Sequence, residues 1–389
     1  MGLSHDIMEE FKYSWLSAYI LECLAMVQLI TVLDMGYTLK AKMNCDMSEK
    51  VYNRLNSIAA ICTIFVVYIH SDNTTQYELY GKIGEITKFI EEIIAPSIIN
   101  VAVPIFFLVS GLLFFRDYHW NKVLSKYKSR IKSIAIPYFA WNSIYTLVAI
   151  FFSVSIIGKY MSDAWKMDSV SVEEIINGIL FHKYLPMFWF LAYLMLYIAI
   201  SPMIYLFIKD KTIGLIFIVL YLVLLSFEVP YASDGLFLYL LGGYVAIHHK
   251  ELLNRDSYSS REYISSIILL LLIITTRIVF NASKLDERAI IETLIFVLYF
   301  VSLYIIFSCI PEIRVLTIVG KYQFFIYATH LFILSIFKKF IMIVFQNNSA
   351  LALIAYLCAP IFTIITACFI GNIMSKKVPK LYKVLVGGR

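Results

Sequence analysis

The sequence predicts an all-α membrane protein, a polytopic bundle of about ten transmembrane helices. Hydrophobic residues make up 60% of the 389 residues, and the mean hydropathy is +0.78. Charged residues make up only 15%, whereas soluble domains average about 25% charged and roughly 45–50% apolar residues. Apolar stretches long enough to cross the ~30 Å hydrocarbon core of a bilayer recur along the whole chain.

Ten apolar segments are predicted to span the membrane, and two of them are short enough to be tilted, broken or extended into loops. The segments are 51–70, 92–115, 134–157, 187–208, 212–228, 235–249, 263–280, 289–310, 315–337 and 351–374. The short ones are the fifth and the sixth. We therefore divide the chain into an N-terminal extension (1–49), a transmembrane domain (50–375) and a basic, cytoplasmic tail (376–389).

The N-terminal extension has two interpretations. Residues 13–33 are apolar enough to insert, but Glu22 and Gln28 fall in the middle of the segment. A carboxylate at the centre of a bilayer is costly unless it faces protein. The segment is therefore either an interfacial helix or an extra span.

The distribution of lysine and arginine predicts the orientation of the ten segments. If the first segment starts in the cytoplasm, 22 of the 33 basic residues fall in inner loops and the tail, and 9 fall in outer loops. Cytoplasmic loops carry an excess of lysine and arginine. The sequence therefore predicts a multi-pass cell-membrane protein with both ends of the ten-helix block in the cytoplasm.

Several classes of function are disfavoured by the sequence. The formal net charge of +6 comes from short basic clusters between apolar segments, so we expect no nucleic-acid partner. The six cysteines are scattered and form no C-x-x-C pair, which predicts no metal site. There is no Walker loop, no His-Glu-x-x-His and no serine-hydrolase motif.

His70 is the strongest catalytic candidate. It ends the first predicted span, and at 100° per residue Asn56, Ala59 and Thr63 share its helical face. A polar, small-residue face should point into the bundle because lipid would penalise it. Histidine titrates near neutral pH and suits a general base, with Asp72 as an orienting partner. The alternative is an interfacial histidine in contact with lipid headgroups.

A second polar face lies on the ninth segment. Gln323, Tyr327 and His330 are spaced by four and three residues, so they share one side of a helix. A histidine inside the membrane is a functional hypothesis by default. We predict His330 as a second catalytic candidate and Tyr327 as a substrate-lining residue. The alternative is a histidine that ties helices together by hydrogen bonds.

Further substrate-lining candidates lie on the second and fourth segments. Trp189, Tyr193 and Tyr197 are spaced by four residues, and Ser110 precedes Gly111 in a segment that also contains Pro104. We predict Ser110, Trp189 and Tyr193 as lining residues. The alternatives are an interfacial aromatic belt and close helix packing at the Ser-Gly step.

The densest basic patch is the predicted loop 116–133. Arg130 and Lys132 lie at its end, and Asn142 follows inside the third segment. Arginine recognises phosphate groups well, so we predict these three residues as the binding site for a phosphorylated donor. The alternative is that the patch serves only to orient the protein.

Together these segments resemble the acyltransferase 3 family of membrane acyltransferases. The resemblance covers roughly residues 50–389 and depends on the order and spacing of several short motifs. They are Val66-Val67-Tyr68-Ile69-His70, Val103-Pro104-Ile105-Phe106-Phe107-Leu108-Val109-Ser110-Gly111, Arg130-Ile131-Lys132 with Pro137-Tyr138, Phe188-Trp189-Phe190-Leu191, Phe325-Ile326-Tyr327-Ala328-Thr329-His330, and the final Pro379-Lys380-Leu381-Tyr382 with Gly387-Gly388-Arg389.

The resemblance implies transfer of an acetyl or larger acyl group from cytoplasmic acyl-CoA to a hydroxyl of a cell-envelope saccharide or lipid-linked glycan. Acyl-CoA would be a co-substrate, with no permanently bound cofactor, and membrane lipids would surround the protein. His70 matches the histidine that the family uses as its essential residue. The other functions left open are transport of a small solute, as in the membrane half of amino-acid racemase–transporter fusions, and a non-catalytic scaffold or sensor.

The sequence departs from the family pattern at two positions. Many members carry an arginine eleven residues before the essential histidine, where this chain has Ala59. The second basic residue of the family's Arg-x-x-Arg pattern is replaced by Ser133.

Overall fold

The computed structural model describes residues 48–72, 79–160, 165–225, 227, 233–283, 289–345 and 349–388. These residues form α-helices joined by short π and 3-10 turns, without a strand among them. The helices are α1 Glu49–Ile69, α2 Gly81–Phe89, α3 Ala95–Ile99, α4 Ala102–Phe115, α5 Val123–Arg130, α6 Ile136–Val154, α7 Val172–Leu180, α8 Trp189–Ala199, α9 Ser201–Ile208, α10 Lys211–Leu225, α11 Asp234–His248, α12 Lys250–Leu253, α13 Ser260–Ser283, α14 Ala289–Cys309, α15 Arg314–Phe345, α16 Ser349–Lys377 and α17 Pro379–Leu385. The predicted segment 13–33 lies outside the described residues.

The all-α polytopic membrane class is confirmed, but the count of ten spans is not. Among the described residues, seven helical stretches are long and apolar enough to cross a membrane, and an eighth is formed if α8 and α9 count as one bent span. The two remaining segments, α10 and α11, are apolar but only 15 residues long. At 1.5 Å per residue they reach about 22 Å, less than the ~30 Å hydrocarbon core.

The fourth predicted span is broken in the middle. The stretch Pro186–Ala199 and helix α9 meet at an angle of 60°, and Pro202 lies in the first turn of α9. A proline removes a backbone donor, so it is tolerated in the first turn of a helix but not in its interior. This explains why one apolar run of the sequence becomes two helices.

The predicted loop 116–133 is mostly helical, which corrects the sequence interpretation. After a short link, a 3-10 turn (Trp120–Lys122), α5, a π-helical turn (Ile131–Ala135) and α6 follow one another without a break. The prediction of a loop was based on the many lysines and arginines in this stretch. These residues are common in polar loops, but they are also good helix formers. The patch therefore presents its side chains at fixed helical angles.

Glycines allow α4 and α11 to pack with their backbones in contact. A Cβ atom on Gly111 would lie 2.1 Å from the backbone oxygen of Tyr239, and one on Gly242 would lie 2.2 Å from the backbone oxygen of Leu108. Only glycine fits at such an approach, as in other membrane helix pairs. The Ser-Gly step in the sequence therefore does serve close packing.

Helices α1 and α15 run side by side in the same direction. Gly320 lies against Asn56 near the start of both helices, and the rings of His330 and His70 lie 5.2 Å apart near the end of α1. Beyond them, Lys338 reaches the backbone just after α1. This pairing defines two ends of the bundle. We call the end near Asn56 and Gly320 the Arg130 end, because Arg130 borders the same cavity as these two residues, and we call the other the His70 end.

The predicted tail 376–389 contains the end of α16 and the short helix α17. Trp141 Nε1 on α6 donates a hydrogen bond of 2.9 Å to the backbone oxygen of Leu385. Tyr382 and Leu385 are buried. The chain after α16 thus returns to pack on the Arg130 end of the bundle.

Candidate active site

Two adjoining cavities run along α1. The first, which we call the basic chamber, has a volume of about 350 Å³ and is lined by Arg130, Lys321, Asn56 and Ala59 among others. The second, the histidine chamber, has a volume of about 140 Å³ and is lined by Thr63 and His70 among others. The helical face predicted from Asn56, Ala59, Thr63 and His70 therefore faces these cavities, as expected.

The two chambers share a set of lining residues that forms the junction between them. These residues are Phe106, Ser110, Ile134, Leu194, Gln323 and Phe324. Ser110 and Gln323 are the polar members of the set. The lining residues on α1 and just after it extend from Tyr52 to His70, which at 1.5 Å per residue corresponds to about 27 Å. An extended chain with polar groups along its length can fit such a path.

His70 and His330 come together at one end of this path. Their ring centroids are 5.2 Å apart, although 260 residues separate them in the sequence. His330 is fully buried, and its Nδ1 lies 2.7 Å from the backbone oxygen of Tyr327. Because a carbonyl oxygen only accepts, Nδ1 carries the proton in the neutral ring. The other nitrogen, Nε2, then keeps its lone pair, and it has no hydrogen-bond partner among the described residues.

Asp72 lies just beyond His70 and contacts a residue that the sequence analysis did not single out. Lys338 of α15 donates a hydrogen bond to the backbone oxygen of Asp72. Lys338 is only 4% exposed, whereas Asp72 is exposed. The hydrogen bond joins α15 to the chain immediately after His70. The predicted role of Asp72 as an orienting partner stays a prediction.

Two of the three aromatic candidates line the histidine chamber, and the third does not. Tyr327 lines the histidine chamber, and its hydroxyl donates a hydrogen bond of 2.5 Å to the backbone oxygen of Met187. Trp189 lines the same chamber and is 42% exposed. Tyr193 is 49% exposed and is absent from the lining of both chambers described above. It contacts the ring of Trp189 at 5.9 Å.

The three predicted donor-binding residues lie in three different environments. Arg130 lines the basic chamber with its guanidinium 5.7 Å from the ring centroid of Phe114. Lys132 is exposed and lies beside Gly388. Asn142 is fully buried, and neither atom of its amide has a hydrogen-bond partner within the described parts of the chain.

The basic patch also contains a structural lysine. Lys126 Nζ donates hydrogen bonds of 2.7 Å to the backbone oxygen of Phe114 and 2.6 Å to that of Arg116. These carbonyls lie at the C-terminal end of α4, where helices leave unsatisfied acceptors and favour cations. Lys126 thus caps α4, and Arg130, one turn further along, is directed at the chamber.

Two residues of the basic chamber were missed by the sequence analysis. Lys321 lies beside the predicted Gln323 face, and Tyr382 lies in the region predicted as a tail. Lys321 is a second cation in a chamber where Ala59 provides no charge. Its position, near the start of a predicted span, was explained by the positive-inside rule alone. Only the packing of α15 against α1 reveals that it borders the cavity.

A family model described as an acyltransferase domain matches residues 52–372 of the chain. This range contains every predicted site residue and runs from the first turn of α1 through the greater part of α16. No curated protein and no solved structure matches the chain. The match covers most of the chain, as the order of the short motifs predicted, and it includes both histidines and Arg130. The protein therefore belongs to the acyltransferase 3 family and is a membrane acyltransferase.

Proposed function

We propose that the protein transfers an acyl group, of which acetyl is the expected one, from cytoplasmic acyl-CoA to a hydroxyl of a cell-envelope or exported saccharide. The observation that carries this proposal is the pair of adjoining cavities, with Arg130 and Lys321 at one end and His70 with His330 at the other. The cations suit the phosphates of coenzyme A. The histidines suit proton transfer.

The proposed binding mode follows the cavity. The nucleotide of coenzyme A binds at Arg130, and its pantetheine arm extends past Ser110 and Gln323, whose side chains can bond to the arm's amides. The thioester then lies in the histidine chamber. Its volume of about 140 Å³ is close to that of a protein cavity that holds benzene, which favours a short acyl group over a long one.

In the proposed reaction, His70 accepts the proton of the acceptor hydroxyl, and the resulting oxygen nucleophile attacks the thioester carbonyl. The tetrahedral oxyanion collapses, and the carbon–sulfur bond breaks. The coenzyme A sulfur leaves and takes the proton back from His70, so that the products are an acyl ester and free coenzyme A. Neutral His330 presents a lone pair at Nε2 and no free N–H, so we assign it to proton transfer beside His70.

Thioester consumption tests this function directly. We expect the purified full-length protein in lipid nanodiscs to release free thiol from acetyl-CoA when saccharide acceptors are present. Mass spectrometry of envelope glycans from cells with and without the protein should show the matching loss of an acetyl group. A transporter would move solute across liposomes while consuming no thioester, and that result would contradict the proposal.

We also propose that the Arg130 end of the bundle faces the cytoplasm, because the lysine and arginine bias favours it. With other accessible cysteines removed, Asn121→Cys and Lys380→Cys should resist a membrane-impermeant maleimide added to intact cells. Val170→Cys, in the loop before α7, should react. Labelling of either of the first two from outside would reverse the proposed orientation.

A further inference from the structure

The helix α17 follows the last residue of the family match, 372, yet it borders the proposed donor site. Tyr382 of α17 and Val386 just after it line the basic chamber together with Arg130 and Lys321. The seven residues of α17 include two lysines, which the sequence alone explains as part of a basic tail. The chamber therefore has one side made by a segment that lies outside the matched range.

Contacts from three parts of the bundle hold this segment in place. The hydrogen bond from Trp141 Nε1 to the backbone oxygen of Leu385 joins it to α6. The ring of Tyr382 contacts that of Phe325 on α15, with centroids 5.8 Å apart. Gly387 then packs against Ser133, which lies in the π-helical turn after Arg130.

Gly387 is required at this last contact for two reasons. Its φ angle of +73° is in the left-handed region, which favours glycine. A Cβ atom there would also lie 2.5 Å from the backbone oxygen of Ser133. The backbone can approach the turn that carries Arg130 only because residue 387 has no side chain. This contact joins the segment that carries Tyr382 to the turn that follows Arg130.

We propose that Tyr382 on α17 and Gly387 form part of the acyl-CoA site, with the ring of Tyr382 as the surface against which the donor lies. This inference rests on the proposed function and adds a binding element to it. Tyr382 is largely buried and its ring is held by Phe325. It therefore offers the donor a fixed aromatic surface in the chamber that Arg130 also lines, and little ordering is needed when the donor binds.

The test is steady-state kinetics of the full-length protein with acetyl-CoA as the varied substrate. Tyr382→Ala should raise the KM for acetyl-CoA about 3- to 10-fold, the range expected for loss of an aromatic contact, while kcat stays within about twofold. Tyr382→Phe keeps the ring and should retain the wild-type KM. Leu381→Ala is the matched control, because Leu381 is on the same helix but 51% exposed.

Gly387→Ala provides a second, independent variant. It should raise the KM for acetyl-CoA in the same direction, because the added methyl group displaces the segment from the turn after Arg130. The thermal unfolding temperature of each variant, measured in the same detergent, shows whether the protein remains folded.

Each outcome decides between distinct conclusions. If the wild-type protein consumes acetyl-CoA and Tyr382→Ala keeps the wild-type KM, the inference about α17 is overturned and the proposed function stands. A fall in kcat and unfolding temperature without a change in KM would also overturn it, because it would show a structural role alone. If the wild-type protein consumes no thioester, the proposed function and this inference both fail.

Discussion

Replacing His70 by alanine is expected to reduce acyl transfer by about 100- to 10,000-fold, the usual contribution of a general base. His70 borders the smaller chamber, next to the ring of His330. It lies at the end of the cavities opposite Arg130, where, in the orientation that we propose, an acceptor from outside the cell meets the thioester. The measurement is acetyl-CoA-dependent acylation by purified variant and wild-type protein.

The matched control for this variant is His119→Ala. His119 is an exposed histidine close to the start of α5, so its loss should leave the rate within about twofold. Both variants should insert and unfold like the wild type, because His70 borders a cavity and His119 is exposed, so neither truncation opens a hole in the packed core. Near-normal activity of a folded His70→Ala variant would remove the proposed mechanism and leave His330 as the remaining histidine of the site.

The histidine pair shows how far sequence reasoning reached. The periodicity of α1 predicted that His70 shares a face with Asn56 and Thr63, and this face does border the chambers. The periodicity of α15 likewise predicted the side that carries Gln323 and His330. No local pattern states that these two faces meet, since the meeting depends on α1 and α15 running in parallel. Periodicity identifies a face, and packing decides what it contacts.

The basic patch shows what sequence reasoning could not resolve. Its lysines and arginines look alike in a sequence, because one compositional rule accounts for all of them. In the fold, Lys126 caps α4, whereas Arg130 lines the basic chamber and Lys132 is exposed. The difference arises from the helical phase of α5 and the π turn after it. The sequence analysis predicted a loop there, and a loop does not fix the directions in which successive side chains point.

The aromatic candidates and α17 show the same limit, because a sequence pattern does not state which residues border a cavity. A spacing of four placed Trp189 and Tyr193 on one face of α8, but only Trp189 lines the histidine chamber. Tyr382 carried no periodic signal, since a single tyrosine in a short basic segment has no periodic partner. The available signs were its place in the final Pro379-Lys380-Leu381-Tyr382 motif and the Gly387-Gly388 pair, because paired glycines often mark backbone that other residues cannot adopt.

Arg130→Ala should raise the KM for acetyl-CoA much more than it lowers kcat. A hydrogen bond to a charged group contributes about 1.5–3 kcal/mol, which corresponds to a roughly 10- to 150-fold weaker donor interaction. Arg130 is the predicted donor residue that lines the basic chamber, whereas Lys132 is exposed. Arg130 lies at the opposite end of the two cavities from the histidines, so the chemical step itself should be nearly unaffected.

Two companion variants separate the charge of Arg130 from its geometry. Lys128→Ala removes an exposed cation from the same helix and should leave the KM for acetyl-CoA within about twofold. Arg130→Lys keeps the charge but loses the planar fork that binds phosphate with two hydrogen bonds, so its KM should fall between those of the wild type and Arg130→Ala. Equal KM values for all four proteins would mean that the patch orients the protein in the membrane and takes no part in donor binding. A graded series of KM values would instead indicate that the donor's phosphates bind the guanidinium that lines the chamber.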